Sequence, residues 1–235
     1  MVRRYYTSIV LNIFVIGTCI VLGVYTFGVP LLFDSLCALF FLVVAFYFRR
    51  DVNIKTVCVL LILESLLINA VFVLSINSYY WIVTAYLLTA MTLWQVRQDK
   101  LTRIILVFLL ISVSLEIYWY VVGYKGPQIY FYFLKISIYL FVRFLLLYRP
   151  HGLNYFLNSG AAILRLDWFV YQTKAVVCLT ECAMISEYLL RHTFSFQPML
   201  MYNYYQYFMQ GLGVWIIWLV LREAIKIYRQ NVIKI

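Results

Sequence analysis

The sequence predicts an all-α, polytopic transmembrane bundle of about eight helices with both termini cytoplasmic. Three observations carry this expectation. Of the 235 residues, 66% are hydrophobic and only 12% charged, whereas soluble domains run to about 25% charged. Apolar segments near the roughly 20 residues that cross about 30 Å of hydrocarbon recur along the whole chain. Lys and Arg gather in alternate connectors, the asymmetry that sets orientation in a membrane. The aromatic share of 20%, with 22 Tyr and 6 Trp, suits two membrane–water interfaces, where amphipathic rings settle.

The first segment, at about 6–28, follows Arg3 and Arg4. No Ala-x-Ala site follows its core, so a cleaved signal is not expected. "GVP" at 28–30 turns the chain into the second segment, 31–48, which carries Asp34 close enough to the outer interface to be hydrated. "RRDVNIK" at 49–55 leads to the third, 54–76, with Glu64 mid-segment and Ser65 and Asn69 beside it. "NS" at 77–78 turns into the fourth, 79–96, and "RQDKLTR" at 97–103 into the fifth, 102–123. "YKGP" at 124–127 leads to the sixth, 128–148. A longer stretch, 149–167, precedes the seventh, 168–190, and "RHTFSFQP" at 191–198 precedes the eighth, 201–222. Gly, Pro and Asn mark the tight turns.

The termini and even-numbered connectors hold Arg3, Arg4, Arg49, Arg50, Lys55, Arg97, Lys100, Arg103, Arg149, Arg165, Arg222, Lys226, Arg229 and Lys234. The opposite side holds only Lys125 and Arg191, while Lys135, Arg143 and Lys174 lie within segments. An odd number of crossings would spoil this asymmetry, so eight is favoured over seven. The expected location is a bacterial inner (plasma) membrane. The net charge of +10 reads as topology determinants in contact with anionic lipid. No nucleic-acid partner is expected, because the basic residues sit in short juxtamembrane loops.

Residues 173–192 raise the main chemical question, because they are apolar enough to cross a membrane yet carry Lys174, Glu181 and Glu187. On a helix, Lys174, Cys178, Glu181, Cys182 and Ile185 share one face, with Ser186 at its margin. The small side chains at 178, 182 and 186 allow close helix approach, so this face is expected to point into the bundle. Glu187 is expected to pair with Arg191 at i+4. Glu116 and Lys135 each lie about seven residues from the outer end of adjacent segments, a depth of roughly 10 Å at 1.5 Å per residue, which predicts a pair between them.

The candidate intramembrane polar network is therefore Glu64, Asn69, Glu116, Lys135, Lys174 and Glu181. Two readings compete: an ion or proton path, or structural ion pairs and neutral acids that fix packing. The structural reading is preferred, with Glu181→Gln expected to be nearly harmless. Cys19, Cys37, Cys58, Cys178 and Cys182 all fall inside segments and read as small buried apolar residues. His151 and His192 fall on opposite sides of the membrane, and neither a metal nor a cofactor is expected.

Pro30, Pro127, Pro150 and Pro198 lie at turns or segment ends, and only Gly17, Gly23, Gly211 and Gly213 interrupt helices. That disfavours a broken-helix transporter. No nucleophile–base set, H-E-x-x-H or acidic pair for magnesium points to an enzyme. The stretch 149–167, with Arg149, His151, Asn154, Asn158 and Asp167, is the one cytoplasmic loop long enough for a site. Its Leu153, Phe156, Leu157, Ile163 and Leu164 suggest a short interfacial helix.

The chain is thus expected to form one integral membrane domain, 1–235, that is non-enzymatic. The leading expectation is the membrane-embedded subunit of a larger assembly, with a protein partner or a second copy of itself. The alternative is an ion channel or proton-coupled small-solute transporter that uses the buried glutamates.

Overall fold

In the computed structural model, the described residues are 29–74, 79–124, 128–157, 160–194, 196 and 198–233, together with Gly17, Gly23, Tyr25 and Thr26. All regular structure among them is helical: α1 (Pro30–Tyr47), α2 (Val52–Leu74), α3 (Tyr79–Gln95), α4 (Lys100–Val122), α5 (Tyr130–Leu157), α6 (Arg165–Thr193) and α7 (Leu200–Ile233). They correspond one to one with the second to eighth apolar segments. The first segment lies outside the described residues, apart from those four positions. Five helices, α1, α2, α4, α5 and α7, are long and apolar enough to cross a membrane.

Helix ends follow local chemistry. Pro30 opens α1, where its missing N–H is one of the unbonded first-turn groups anyway. Asp51 caps α2, its Oδ1 accepting from the N–H groups of Asn53 (3.0 Å) and Ile54 (3.1 Å). Asp99 caps α4 through the Leu101 N–H, and Gly123 ends that helix at φ 72°, a left-handed conformation that glycine adopts without steric penalty.

Packing departs from sequence order. α5 packs against α2, α3 and α6, and α6 packs against α4, α5 and α7. α1 packs on α2 and touches α7, so α1, α2, α5, α6 and α7 close a ring. α3 and α4 lie outside it: α3 on α5, and α4 against α3 and α6. On α3, Thr89 Oγ1 lies 2.8 Å from Ser137 Oγ and donates to Phe133 O at 3.1 Å, which fixes α3 to α5. Where α7 meets α1, a Cβ at Gly213 would stand 2.6 Å from the Phe33 ring, so the glycine makes room for that ring.

The stretch 149–167, expected as a loop with a short helix, is helical over most of its described length. α5 continues through Pro150 to Leu157, and only 160–164 of the described connector is non-helical. Its polar residues explain the difference. The buried Arg149 donates to Asp167 Oδ2 (2.6 Å), Ala162 O (2.9 Å) and Thr56 Oγ1 (2.9 Å). Asn154 accepts from the Ala161 N–H and donates to the Ala161 carbonyl. Nearby, Arg143 pairs with Asp99 at 2.8 Å, with Tyr171 OH donating to the same carboxylate. These latches bring connectors 48–51, 96–99 and 160–164 to one end of the bundle, here termed the basic end.

At the opposite end, Glu187 does not pair with Arg191. Its carboxylate accepts from the N–H groups of Met201 (2.6 Å) and Tyr202 (3.0 Å) at the start of α7, where a helix presents unbonded donors and a positive dipole. Arg191 lies over the rings of Tyr188 and Tyr202 instead.

Candidate functional site

The closed ring of helices surrounds a cavity of about 270 Å³. Toward the basic end, the buried side chains of Phe41, Leu61 and Ile216 form its floor and join a hydrophobic core with Val142, Val170 and Val220. Four charged side chains from four helices line it: Asp34 of α1, Glu64 of α2, Lys135 of α5 and Lys174 of α6, with Gln206 and Gln210 of α7 on the remaining wall. Glu64 sits twelve residues into α2, roughly 18 Å along the axis, so this polar lining lies deep in the bundle.

Each lysine has a counter-ion. Lys174 Nζ donates to Glu64 Oε1, both side chains being buried. Lys135 Nζ donates to Tyr205 OH at 2.7 Å and lies 3.5 Å from Glu181 Oε1, while Tyr205 OH donates to that same oxygen at 2.6 Å. Glu181 is wholly buried behind the Lys135 and Tyr205 side chains that face the cavity. A pair of this kind holds its charges only because each is hydrogen-bonded, since the interior charges a large desolvation cost. Aromatic faces help: Lys135 Nζ stands 5.1–5.8 Å from the ring centres of Phe72, Phe131, Tyr132 and Tyr205. Lys174 Nζ stands 5.5 Å from that of Tyr139.

The structure therefore gathers Glu64, Lys135 and Lys174 on the cavity and places Glu181 directly behind it. Asn69 stands apart on the α1–α2 contact, donating to Ser35 Oγ at 3.4 Å. Glu116 is not with Lys135. It lies on α4, outside the ring, and joins no ion pair among the described residues. Equal depth in sequence-adjacent segments did not make neighbours, because α3 rather than α4 packs on α5. Lys174 likewise pairs across to α2 and not with Glu181 on its own helix.

Sequence reasoning missed Tyr139, Tyr205, Gln206 and Gln210. A signal for the glutamines was present: Asn203, Gln206 and Gln210 fall at i, i+3 and i+7 in an apolar segment, one polar stripe on a helix. Asp34 read as an interfacial, hydrated residue, yet it lines the cavity half-buried. Among the described residues no group of three or more His, Cys, Asp or Glu side chains is placed to hold a metal ion.

These features define an α-helical membrane bundle around a largely apolar cavity into which four charged side chains project. Comparison with protein-family models, curated proteins and solved structures finds no match.

Proposed function

We propose that the protein is a non-enzymatic integral membrane carrier. It binds a small polar solute in the five-helix chamber and couples its passage to protonation of Glu181. The observation that carries this reading is the convergence of Asp34, Glu64, Lys135 and Lys174, from four different helices, on one cavity. Ionisable groups at this depth are costly and commonly mark substrate or proton routes. The Lys135–Tyr205–Glu181 chain supplies the coupling. A proton taken up by Glu181 removes the counter-charge of Lys135, whose ammonium then stands uncompensated at the chamber wall. Solute and proton thus alter each other's affinity, as linkage requires.

In this reading the chain has eight crossings in a bacterial inner membrane. Both termini and the basic end are cytoplasmic, in contact with anionic lipid. The charge asymmetry supports it, and a reporter fused after Lys100 reads cytoplasm; one that reads the outer compartment overturns the orientation.

The deciding experiment follows proton movement, in either direction, across proteoliposomes carrying an internal pH dye and challenged with a panel of small amines, amino acids and sugars. Solute-dependent proton movement is expected in the wild type and lost in a folded Glu181→Gln protein. Equal movement in both removes Glu181 from the mechanism.

A second reading, the membrane-embedded subunit of a larger assembly, is favoured by the short connectors between the described helices, which leave the basic end as a docking surface. A partner that co-purifies reproducibly in mild detergent, with no solute-dependent flux, supports that reading instead.

A further inference from the structure

We infer that the chamber takes a small organic monocation carrying an ammonium head, with Asp34 as its counter-ion. This rests on the chamber being a solute site, and it specifies the class of solute.

Charge balance is the first support. The chamber and the groups directly behind it hold three carboxylates, Asp34, Glu64 and Glu181, against two ammonium groups, Lys135 and Lys174. Both lysines are committed, Lys174 to Glu64 and Lys135 to Glu181 and Tyr205. Asp34 has no hydrogen bond or ion pair among the described residues. Glu64 Oε2 and Glu181 Oε2 are buried with no hydrogen-bond partner among the described residues. The surplus is therefore of acceptors and negative charge. A cavity-facing carboxylate with no partner among the described residues calls for a cation.

The walls are the second support. The ring faces that line the chamber are already holding ammonium groups: four of them surround Lys135 and another stands beside Lys174. The negative face of an aromatic ring favours a cation and disfavours an anion. An anionic solute would have to break a buried lysine–glutamate pair and then lie beside Asp34. A cation meets Asp34 without disturbing either pair. A volume of about 270 Å³ is close to the lower end of ordinary ligand pockets, about 300 Å³, which limits the solute to a small one.

Two probes of similar shape and opposite charge test the class: 2-phenylethylammonium and 3-phenylpropionate. Thermal unfolding of the detergent-purified protein is followed with each, and Kd is measured by titration. The ammonium probe is expected to raise the unfolding midpoint by several degrees, with the carboxylate inert. Asp34→Asn, a near-isosteric change at a residue with no hydrogen bond among the described residues, should weaken ammonium binding about tenfold or more. Ser65→Leu provides an independent check. Ser65 lines the chamber and, among the described residues, its hydroxyl donates only to Leu61 O of its own helix, so the bulkier side chain should block binding by volume. Binding of the carboxylate in place of the ammonium overturns the cation assignment and leaves the chamber standing as a solute site. Ammonium binding that survives both variants also overturns the assignment. Binding of neither probe defeats the assignment, while the carrier reading stands or falls by the proteoliposome flux.

Discussion

Four of the nine carboxylates in the chain cap helix starts: Asp51, Asp99, Asp167 and Glu187 accept from first-turn or preceding N–H groups. Glu64 and Glu181 neutralise buried lysines, and Glu223 pairs with Lys226 on the surface. Asp34 and Glu116 are left without an ion pair among the described residues, and only Asp34 faces the chamber. At this scale the Lys174–Glu64 pair makes a sharp prediction. Breaking a buried pair by removing one partner costs about 3–5 kcal/mol, whereas replacing both with apolar groups is near neutral. Lys174→Met and Glu64→Leu should each lose folded yield and thermal stability, and the double change should recover most of the loss. Additive losses in that cycle would mean the two side chains do not meet. Lys174, Glu181 and Glu64 were legible in the sequence as buried charges, because each interrupts an apolar segment. Which lysine meets which glutamate was not, since partner choice depends on how helices rotate and cross.

Individual helices were the most legible level. The apolar segments from 31 onward each became one helix, and five of the seven have the length and hydropathy to cross hydrocarbon. Neighbour relations were not legible. Short connectors tie consecutive helices together in sequence, but α3 packs along α5, joined there by the hydroxyl pair Thr89–Ser137, and α4 lies outside. Cysteine cross-linking reads this directly in a protein whose native cysteines have been replaced by alanine. Thr89→Cys with Ser137→Cys should form a disulfide under mild oxidation, and Glu116→Cys with Lys135→Cys should not. The reverse result would restore the hairpin pairing of the two sequence-adjacent segments. Helix ends were also partly hidden. Pro150 and the polar run after it read as a loop, yet Arg149 and Asp167 bond to each other, so the helix persists past the proline and the connector is held down.

For the whole molecule, the chamber is the feature that no single segment encodes. It exists because five helices close a ring and because the α7 wall contributes glutamines where an ordinary lipid-facing helix has apolar residues. A chamber with charged side chains inside an apolar bundle should admit water, and adjacent residues on α2 provide the contrast. Ser65 lines the chamber, whereas Leu66 is 56% exposed on the outer surface of the bundle, where lipid would lie. In the cysteine-free protein, single cysteines at these two positions are exposed in membranes to a small cationic methanethiosulfonate, which reacts with thiols only where water ionises them. Ser65→Cys is expected to label and Leu66→Cys to stay unmodified. Labelling of Leu66→Cys with Ser65→Cys inert would contradict the chamber.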